Sequence, residues 1–186
     1  QSVAVDLGAT IFLDARPTDD FRVFGKMGLN YPFAADDKAE PARGFSDVVN
    51  ITELFSDFTL DEVLFLRGGK HTIAWGVGYF FSPADVLNLT AIDPDDPEAE
   101  REGPVSLRVN LPVDFHNLYL YVLADSGSNG VNIAVAPKAE LVLGGAELGL
   151  GAYYNPNSVP RVMLTLSTSL SRYELFGELE ASIGSN

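Results

Sequence analysis

Residues 2–14 read SVAVDLGATIFLD, and their side chains alternate in character from one residue to the next. Apolar residues take every odd position from Val3 to Leu13, whereas the even positions are small, polar or acidic apart from Phe12. A period of two is the repeat of a β-strand, whose successive side chains point to opposite faces of a sheet. The stretch therefore predicts a strand with one apolar face and one mixed, more polar face.

The same alternation continues along the chain, in FRVFGKMGLNY (21–31), VNIAVAPKAELVL (131–143) and YELFGELEASI (173–183). No segment shows convincing helical periodicity. We predict about ten strands, many of them close to the roughly 9–11 residues of a tilted strand that crosses a membrane. They cover roughly residues 2–14, 21–31, 49–56, 62–77, 105–111, 118–124, 131–143, 147–154, 162–167 and 173–183.

The connectors between these strands alternate in length. Tight turns join every second pair of strands, and both very long connectors, at 31–47 and 77–104, fall among the alternate ones. A meander with short turns at one end and long loops at the other is typical of an antiparallel up-and-down transmembrane β-barrel. A soluble β-sandwich or a lipocalin-like barrel is the alternative.

We expect residues 1–186 to form a single β-barrel domain, or a segment of about ten strands from a larger barrel, with a long loop at 78–104. Two features of the ends favour a segment. With about ten strands, both ends lie on the side of the long loops, whereas a complete barrel has both ends on the other side. The last residues, SIGSN, also lack the terminal aromatic residue of such barrels.

The composition combines apolar character with acidity. Hydrophobic residues make up 46% of the 186 residues, yet the formal net charge is -14, which suits a sheet with one apolar and one charged face. No basic stripe is present, so we expect no nucleic-acid partner. The chain has no cysteine, which excludes a disulfide scaffold and a thiol nucleophile. The uncharged run at 71–84 is shorter than the roughly 18 residues of a membrane-spanning helix.

One stretch carries a family resemblance. RGGKHTIAWGVGYFFSPADVLNLTAIDP (67–94) resembles porin-like outer-membrane proteins in which a GKQ-x-x-x-WG strand leads into a P-x-D-x-x-N loop. EREGPVSLRVNLP (100–112) resembles the segment in which their charged loop enters the next strand. The resemblance implies a barrel with a transport-like role and no defined substrate. The chain departs from the motif at His71, where the family has Gln, and lacks the usual terminal strand.

The aromatic residues of WGVGYFF (75–81) would then lie at the outer rim of the barrel, where amphipathic rings suit the headgroup region. Pro83 lacks an N–H and would end the strand pairing, and a short helical turn would follow over residues 84–87. The acidic segment beyond it would lie outside the membrane or fold into the lumen.

Charged residues of this loop are the first candidates for a functional site. Carboxylates folded into a barrel favour cations in the pore, as acidic rings do in channels. A solvated acidic loop is the plain alternative, and Ca²⁺ binding is weakly indicated because EF-hand spacing and its glycine are missing. The candidates are Asp85, Asp93, Asp95, Asp96, Glu98, Glu100, Arg101 and Glu102.

Charged residues on the non-lipid face of the strands are the second set. Arg or Lys facing lipid near the midplane costs about 2–4 kcal/mol, so these residues are predicted to face the lumen. The solvent face of a soluble sheet would explain them equally well. The lumen-facing candidates are Asp6, Arg22, Lys26, Lys70, Arg108, Lys138, Glu140, Glu174, Glu178 and Glu180.

Catalytic chemistry is not indicated. His71 lies in a predicted strand and His116 in a turn, and neither is linked by spacing to a nucleophile or an acid. We therefore expect no enzyme activity, no cofactor and no metal site.

The sequence as a whole predicts a porin-like channel of the bacterial outer membrane, in contact with lipid, for passive diffusion of small hydrophilic solutes with a preference for cations. Two alternatives remain open: a non-conducting surface barrel that binds a partner through its long loops, and a soluble β-sandwich binding module.

Overall fold

The computed structural model describes residues 5–34, 48–78, 82–89, 102–127 and 130–184, and their regular structure is a single sheet of ten strands. Side chains are described for most of them, with the exceptions of 5–6, 32–34, 125–127 and 130–131. The strands are β1 (Val5–Thr18), β2 (Phe21–Ala34), β3 (Val49–Leu60), β4 (Leu64–Lys70), β5 (Val105–Val113), β6 (His116–Gly127), β7 (Gly130–Leu143), β8 (Ala146–Tyr153), β9 (Arg161–Leu170) and β10 (Tyr173–Ser182). No helix in this part of the chain is long and apolar enough to cross a membrane.

The topology is an antiparallel meander. Each strand pairs with the next one in sequence, so the order across the sheet is β1 to β10, with β1 and β10 at its edges. The predicted all-β, up-and-down architecture of about ten strands is confirmed in this form.

The register separates two faces. Ile11 lies opposite Met27, Leu107 opposite Val122, and this face continues across the sheet through apolar residues. We call it the apolar face. The opposite face, which we call the polar face, places Arg22 beside Asp57 and Thr165 beside Glu178. This division follows directly from the period-two pattern, because successive side chains of a strand point to opposite faces of the sheet.

Short turns close one end of the sheet. Gly144 and Gly145 form the β7–β8 turn with φ of 58° and 93°, which suits a two-residue hairpin turn. Asp114 and Ser171 also have positive φ in the β5–β6 and β9–β10 turns. The longest connector, 71–104, leaves from the other end.

The predicted strand at 62–77, and a loop beginning only at 78, are wrong, because β4 ends at Lys70. Gly69 has a φ of 132°, and a Cβ there would lie 2.7 Å from Cα of Phe55, so the chain turns away at a position that only glycine fills. The period-two pattern continues beyond the end of β4, although these residues do not pair as a strand. His71, Ile73 and Trp75 are buried while Ala74 is exposed, because this extended segment packs one side onto the polar face.

The core of the molecule lies on the polar face. Large side chains of the apolar face are widely exposed, whereas the most deeply buried ones are beneath the segment that follows β4. The buried hydrophobic cluster consists of Ile73, Trp75, Ala84, Leu87, Tyr121, Leu123, Ala134, Ala136 and Met163.

Candidate functional site

The candidate site is the polar face together with the chain that covers it. Residues 71–78 and 82–89 lie across the sheet from β3 to β10, and we call them the covering segment. Their structure is irregular, with a turn at 83–84 in place of the predicted helical turn over 84–87.

Trp75 is the centre of the covering segment and is only 1% exposed. Its ring packs edge-on against Tyr121 of β6 at a centroid distance of 5.4 Å. Below it, a Cβ at Gly151 of β8 would lie 2.6 Å from Cζ2 of Trp75, so glycine is needed for this close approach. The expected position of Trp75 at an outer rim is therefore wrong, and Tyr79, Phe80 and Phe81 lie outside the described residues.

Lys138 of β7 fixes the backbone of Trp75. Its buried Nζ donates a hydrogen bond to the Trp75 carbonyl oxygen at 2.9 Å and lies 2.8 Å from Oε1 of Glu140. The ammonium is also 5.4 Å from the Trp75 ring centroid. A buried ammonium needs polar partners. Lys138 finds them in Trp75 and Glu140, so it links the covering segment to β7.

Glu178 of β10 anchors the covering segment on its other side. Its carboxylate accepts hydrogen bonds from the backbone N–H groups of Val77, Gly78 and Ala84, and from the hydroxyl of Ser82 at 2.9 Å. Hydrogen bonds to an ionised acceptor are the strong ones. One carboxylate thus satisfies backbone donors that have left the sheet.

Asn88 explains why the P-x-D-x-x-N motif has its spacing. The side-chain amide of Asn88 accepts from Ile73 N at 2.8 Å and donates to Ile73 O at 2.7 Å, as a neighbouring strand would. Asp85, three residues earlier, accepts from the same amide nitrogen at 2.8 Å. Asp85 and Asn88 of the motif therefore hold their loop against Ile73, in the segment that precedes it.

The covering segment reaches over several strands of the polar face. The Trp75 ring lies above Gly151 of β8 and contacts Tyr121 of β6, and Val77, two residues further along, donates to Glu178 of β10. β6 and β10 are four strands apart, or about 19 Å across a flat sheet, and the side chains of Tyr121, Trp75 and Glu178 together with this piece of chain bridge that distance.

A row of charged residues crosses β1 to β5 on the polar face. Arg22 donates to Asp14 at 2.9 and 3.0 Å and lies 3.6 Å from Asp57. Arg67 binds the same Asp57 through two hydrogen bonds of 2.6 and 3.0 Å. Arg108 of β5 lies directly opposite Arg67 in the register. The row is thus basic at its β4–β5 end.

His71 lies beside this row and is 1% exposed. Burial lowers the pKa of His71 to about 4, since the imidazolium would lose its hydration, and the positive charges of Arg67 and Arg108 act in the same direction. The hydrogen bond between Nδ1 and the Gly69 carbonyl, at 3.2 Å, opposes this shift. His71 is therefore neutral near pH 7, with Nδ1 as the donor.

The remaining strand candidates are distributed along the polar face. Lys26 lies 5.6 Å from the ring centroid of Phe12, and Glu180 lies 3.8 Å from Arg161. Glu174 is exposed on β10, opposite Ser169. The backbone of Asp6 belongs to β1, opposite Pro32.

Lys70 differs from the other strand candidates. At the end of β4 it lies opposite Leu54 and Val105, which belong to the apolar face. Its ammonium donates to the Ile51 carbonyl at 2.8 Å and pairs with Glu102. Six candidates of the long loop lie outside the described residues: Asp93, Asp95, Asp96, Glu98, Glu100 and Arg101.

Sequence reasoning did not assign Trp75, Asn88, Asp57 or Arg67 to the site. Arg67 and Asp57 had a usable signal, since each occupies a polar-face position of its strand. Gly151 of β8 was a signal for a large side chain above it.

Comparison with protein-family models gave no match, and comparison with curated proteins gave no significant match. Within the described residues, no group of three or more His, Asp or Glu side chains is placed to hold a metal ion.

Proposed function

We propose that this chain forms a β-barrel channel of the bacterial outer membrane, through which small hydrophilic solutes diffuse passively. The observation that carries the proposal is the uncovered apolar face. Leu7 of β1 is 58% exposed, Ile133 of β7 is 60% exposed and Leu179 of β10 is 67% exposed. Exposed apolar surface that extends across a whole sheet marks a surface made for another apolar phase.

Lipid suits this face better than a second protein layer. In a soluble β-sandwich the apolar face is the one that packs inward. Here the described residues form one sheet, and the chain that covers it lies on the polar face instead. Each Å² of apolar surface left in water costs about 25 cal/mol, so an inside-out sheet of this kind needs hydrocarbon around it.

The polar face would enclose the lumen. Its charged row fits a water-filled interior, and the covering segment would narrow that interior, as folded loops do in barrels with a polar interior. Solute discrimination would arise from the charged groups left around the covering segment, among them Arg67 and Arg108 of the wall. The preference for cations depends on the acidic positions of the long loop.

Closure of the sheet would remove its two edges. β1 and β10 are the edge strands of the described sheet, and unpaired edge strands favour association with other strands. A barrel satisfies both edges, either by pairing β1 with β10 or through further strands.

A second candidate function is supported by the packing of the covering segment. Ile73, Trp75 and Ala84 are at most 1% exposed, so this segment packs as tightly as a protein core. A barrel filled in this way would not conduct, and its long loops would bind a partner outside the membrane.

Planar-bilayer recording from detergent-purified protein tests both candidates. Discrete conductance steps would support the channel, together with a protein that stays folded in detergent until it is heated. Stable insertion without steps would select the non-conducting barrel. A protein that stays in solution without detergent would overturn both.

A further inference from the structure

Arg108 has a charge without a carboxylate partner in the described part of the chain. Its cross-strand neighbour is Arg67, another guanidinium, and like charges opposite one another destabilise a sheet. The next neighbour in the register, Tyr121, lies within hydrogen-bonding reach of Arg108 and brings no charge of its own near pH 7. The Nε of Arg108 is buried and has no hydrogen-bond partner.

A second buried donor lies two residues away on the same face of β5. Ser106 is 5% exposed, and its hydroxyl oxygen has no hydrogen-bond partner. Since alternate residues of a strand share a face, Ser106 and Arg108 present their polar groups to the same side of the sheet. A buried polar group without a partner costs about 1–3 kcal/mol. An acceptor would complete Arg108 Nε and Ser106 Oγ, whereas Oδ1 of Asn110, the next residue on this face, is a buried acceptor that lacks a donor.

The charge of the row sets the charge of that acceptor. Four guanidinium groups, of Arg16, Arg22, Arg67 and Arg108, accompany two carboxylates, of Asp14 and Asp57. His71 adds none while it is neutral. Arg16, Arg22 and Arg67 each lie beside one of these carboxylates, and Arg108, at the β5 end of the row, does not. A monovalent anion would balance the charge of Arg108.

We propose that Arg108 and Ser106, with Arg67 beside them, bind a small monovalent carboxylate on the polar face. The planar fork of a guanidinium matches a carboxylate in two parallel hydrogen bonds, and the serine hydroxyl adds a third donor. The guanidinium of Arg67 already holds Asp57, so its contribution is the field of a second positive charge. Both arginine side chains keep partial exposure, through which a solute reaches them.

This inference deepens the proposed channel, since it names small carboxylates as solutes that the wall retains, and it rests on a polar face open to solution. Binding does not require conduction. A protein that binds carboxylate without conducting would reject the channel alone, and a conducting protein without binding would reject this site alone.

The test uses the full chain in detergent and acetate labelled with ¹³C at the carboxyl carbon. Line broadening of the acetate resonance is measured against protein concentration at constant ionic strength, and unlabelled acetate is then added as competitor. We expect saturable broadening that the competitor reverses. In R108Q the dissociation constant should rise about tenfold or more, and in S106A by a few-fold.

Two variants control for charge and for folding. R161Q removes a half-exposed arginine from the same face of β9, distant from the site in strand order, and should leave the broadening unchanged. R108K keeps the charge and loses the fork, so an intermediate affinity is expected. The proposal is overturned if broadening does not saturate, if R108Q binds like the native chain, or if R161Q weakens binding as much as R108Q. If R108Q does not fold, R108K and S106A decide by the same criteria.

Discussion

Glu178 shows, at the scale of one residue, how a carboxylate can accept the backbone hydrogen bonds that a neighbouring strand would otherwise accept. Val77, Gly78 and Ala84 no longer have β-sheet partners, and their N–H groups converge on this carboxylate. Glutamine in its place keeps the length of the side chain but loses the charge and one of the two acceptor oxygens.

E178Q should therefore loosen the covering segment. We expect a loss of about 2 kcal/mol of local protection, because hydrogen bonds to a charged group contribute about 1.5–3 kcal/mol each. Hydrogen exchange of the amides of 77–84 measures it, and about 30-fold faster exchange is expected. E174Q, on the same strand and face but exposed, should leave these amides unchanged. Equal exchange in E178Q and the native chain would contradict the anchoring role.

His71 makes the covering segment sensitive to acid. Its pKa is about 4 in the closed arrangement and 6.5 when the side chain is free. The open form therefore binds the proton more readily between these values. Above pH 6.5, His71 does not change the stability of the closed arrangement relative to the open form. This stability falls as the pH decreases from 6.5 to 4, and titration of His71 changes it no further below pH 4. The total is about 3 kcal/mol.

H71Q should remove this pH dependence, since glutamine does not titrate. Hydrogen exchange of residues 72–78, measured from pH 7 to pH 4 with the intrinsic exchange rates divided out, tests it. The native chain should lose protection across this range and H71Q should not. The same slope in both proteins would show that another group controls the segment.

The residue scale also shows where the sequence was informative. Arg22, Arg108 and Glu178 were assigned to one face because the alternation fixes which side of a strand a residue occupies. The partners of Glu178 were not predictable in this way. Val77 is 101 residues away in sequence, and its contact exists only because the covering segment crosses the polar face as far as β10.

At the scale of the element, β9 offers a direct comparison of the two faces. Leu166 and Ser167 are adjacent, so they point to opposite sides of the same strand. Leu166 belongs to the apolar face beside Leu148, whereas Ser167 lies beside Glu147 on the polar face.

L166R should impair assembly by about 2–4 kcal/mol, the cost of an arginine that faces lipid near the midplane. S167R should be tolerated, because Glu147 is available as a partner. Folding into lipid vesicles, followed by urea titration, measures the free energy of unfolding of both variants. Equal stabilities would contradict the assignment of lipid to the apolar face.

β4 shows why element boundaries are harder to predict than faces. HTIAWGVG (71–78) continues the period-two pattern, so the sequence predicted a longer strand. An extended segment that packs one side on a sheet has the same period as a strand within it. Only the φ of 132° at Gly69 and the hydrogen bonds of Asn88 distinguish the two, and neither is visible in an alternation of polarity.

At the scale of the whole molecule, the order of strands followed from the pattern, because each short turn requires its strands to be neighbours. Residues 71–77 were expected to continue a strand, with the aromatic residues of 75–81 at the outer rim and a helical turn over 84–87. The described part of 71–89 instead packs on the polar face of the sheet. Tertiary packing of this kind depends on contacts such as those of Trp75 with Gly151, which no local pattern specifies.

The long acidic loop gives a prediction for conduction. If its carboxylates lie along the solute path, the triple variant D95N/D96N/E98Q should have a lower preference for cations, because the attraction between the pore and cations weakens. The reversal potential under a salt gradient measures that preference. An unchanged potential would remove this loop from the selectivity of the channel.

The central claim is that the apolar face contacts lipid while the polar face encloses the lumen. Its most direct test places a single tryptophan at Leu166 or at Ser167, with Trp75 replaced by phenylalanine, in vesicles of brominated lipid. Bromine quenches only tryptophan within contact range of the acyl chains. We predict strong quenching of L166W and little of S167W. Equal quenching of both, or none of L166W, would contradict the account.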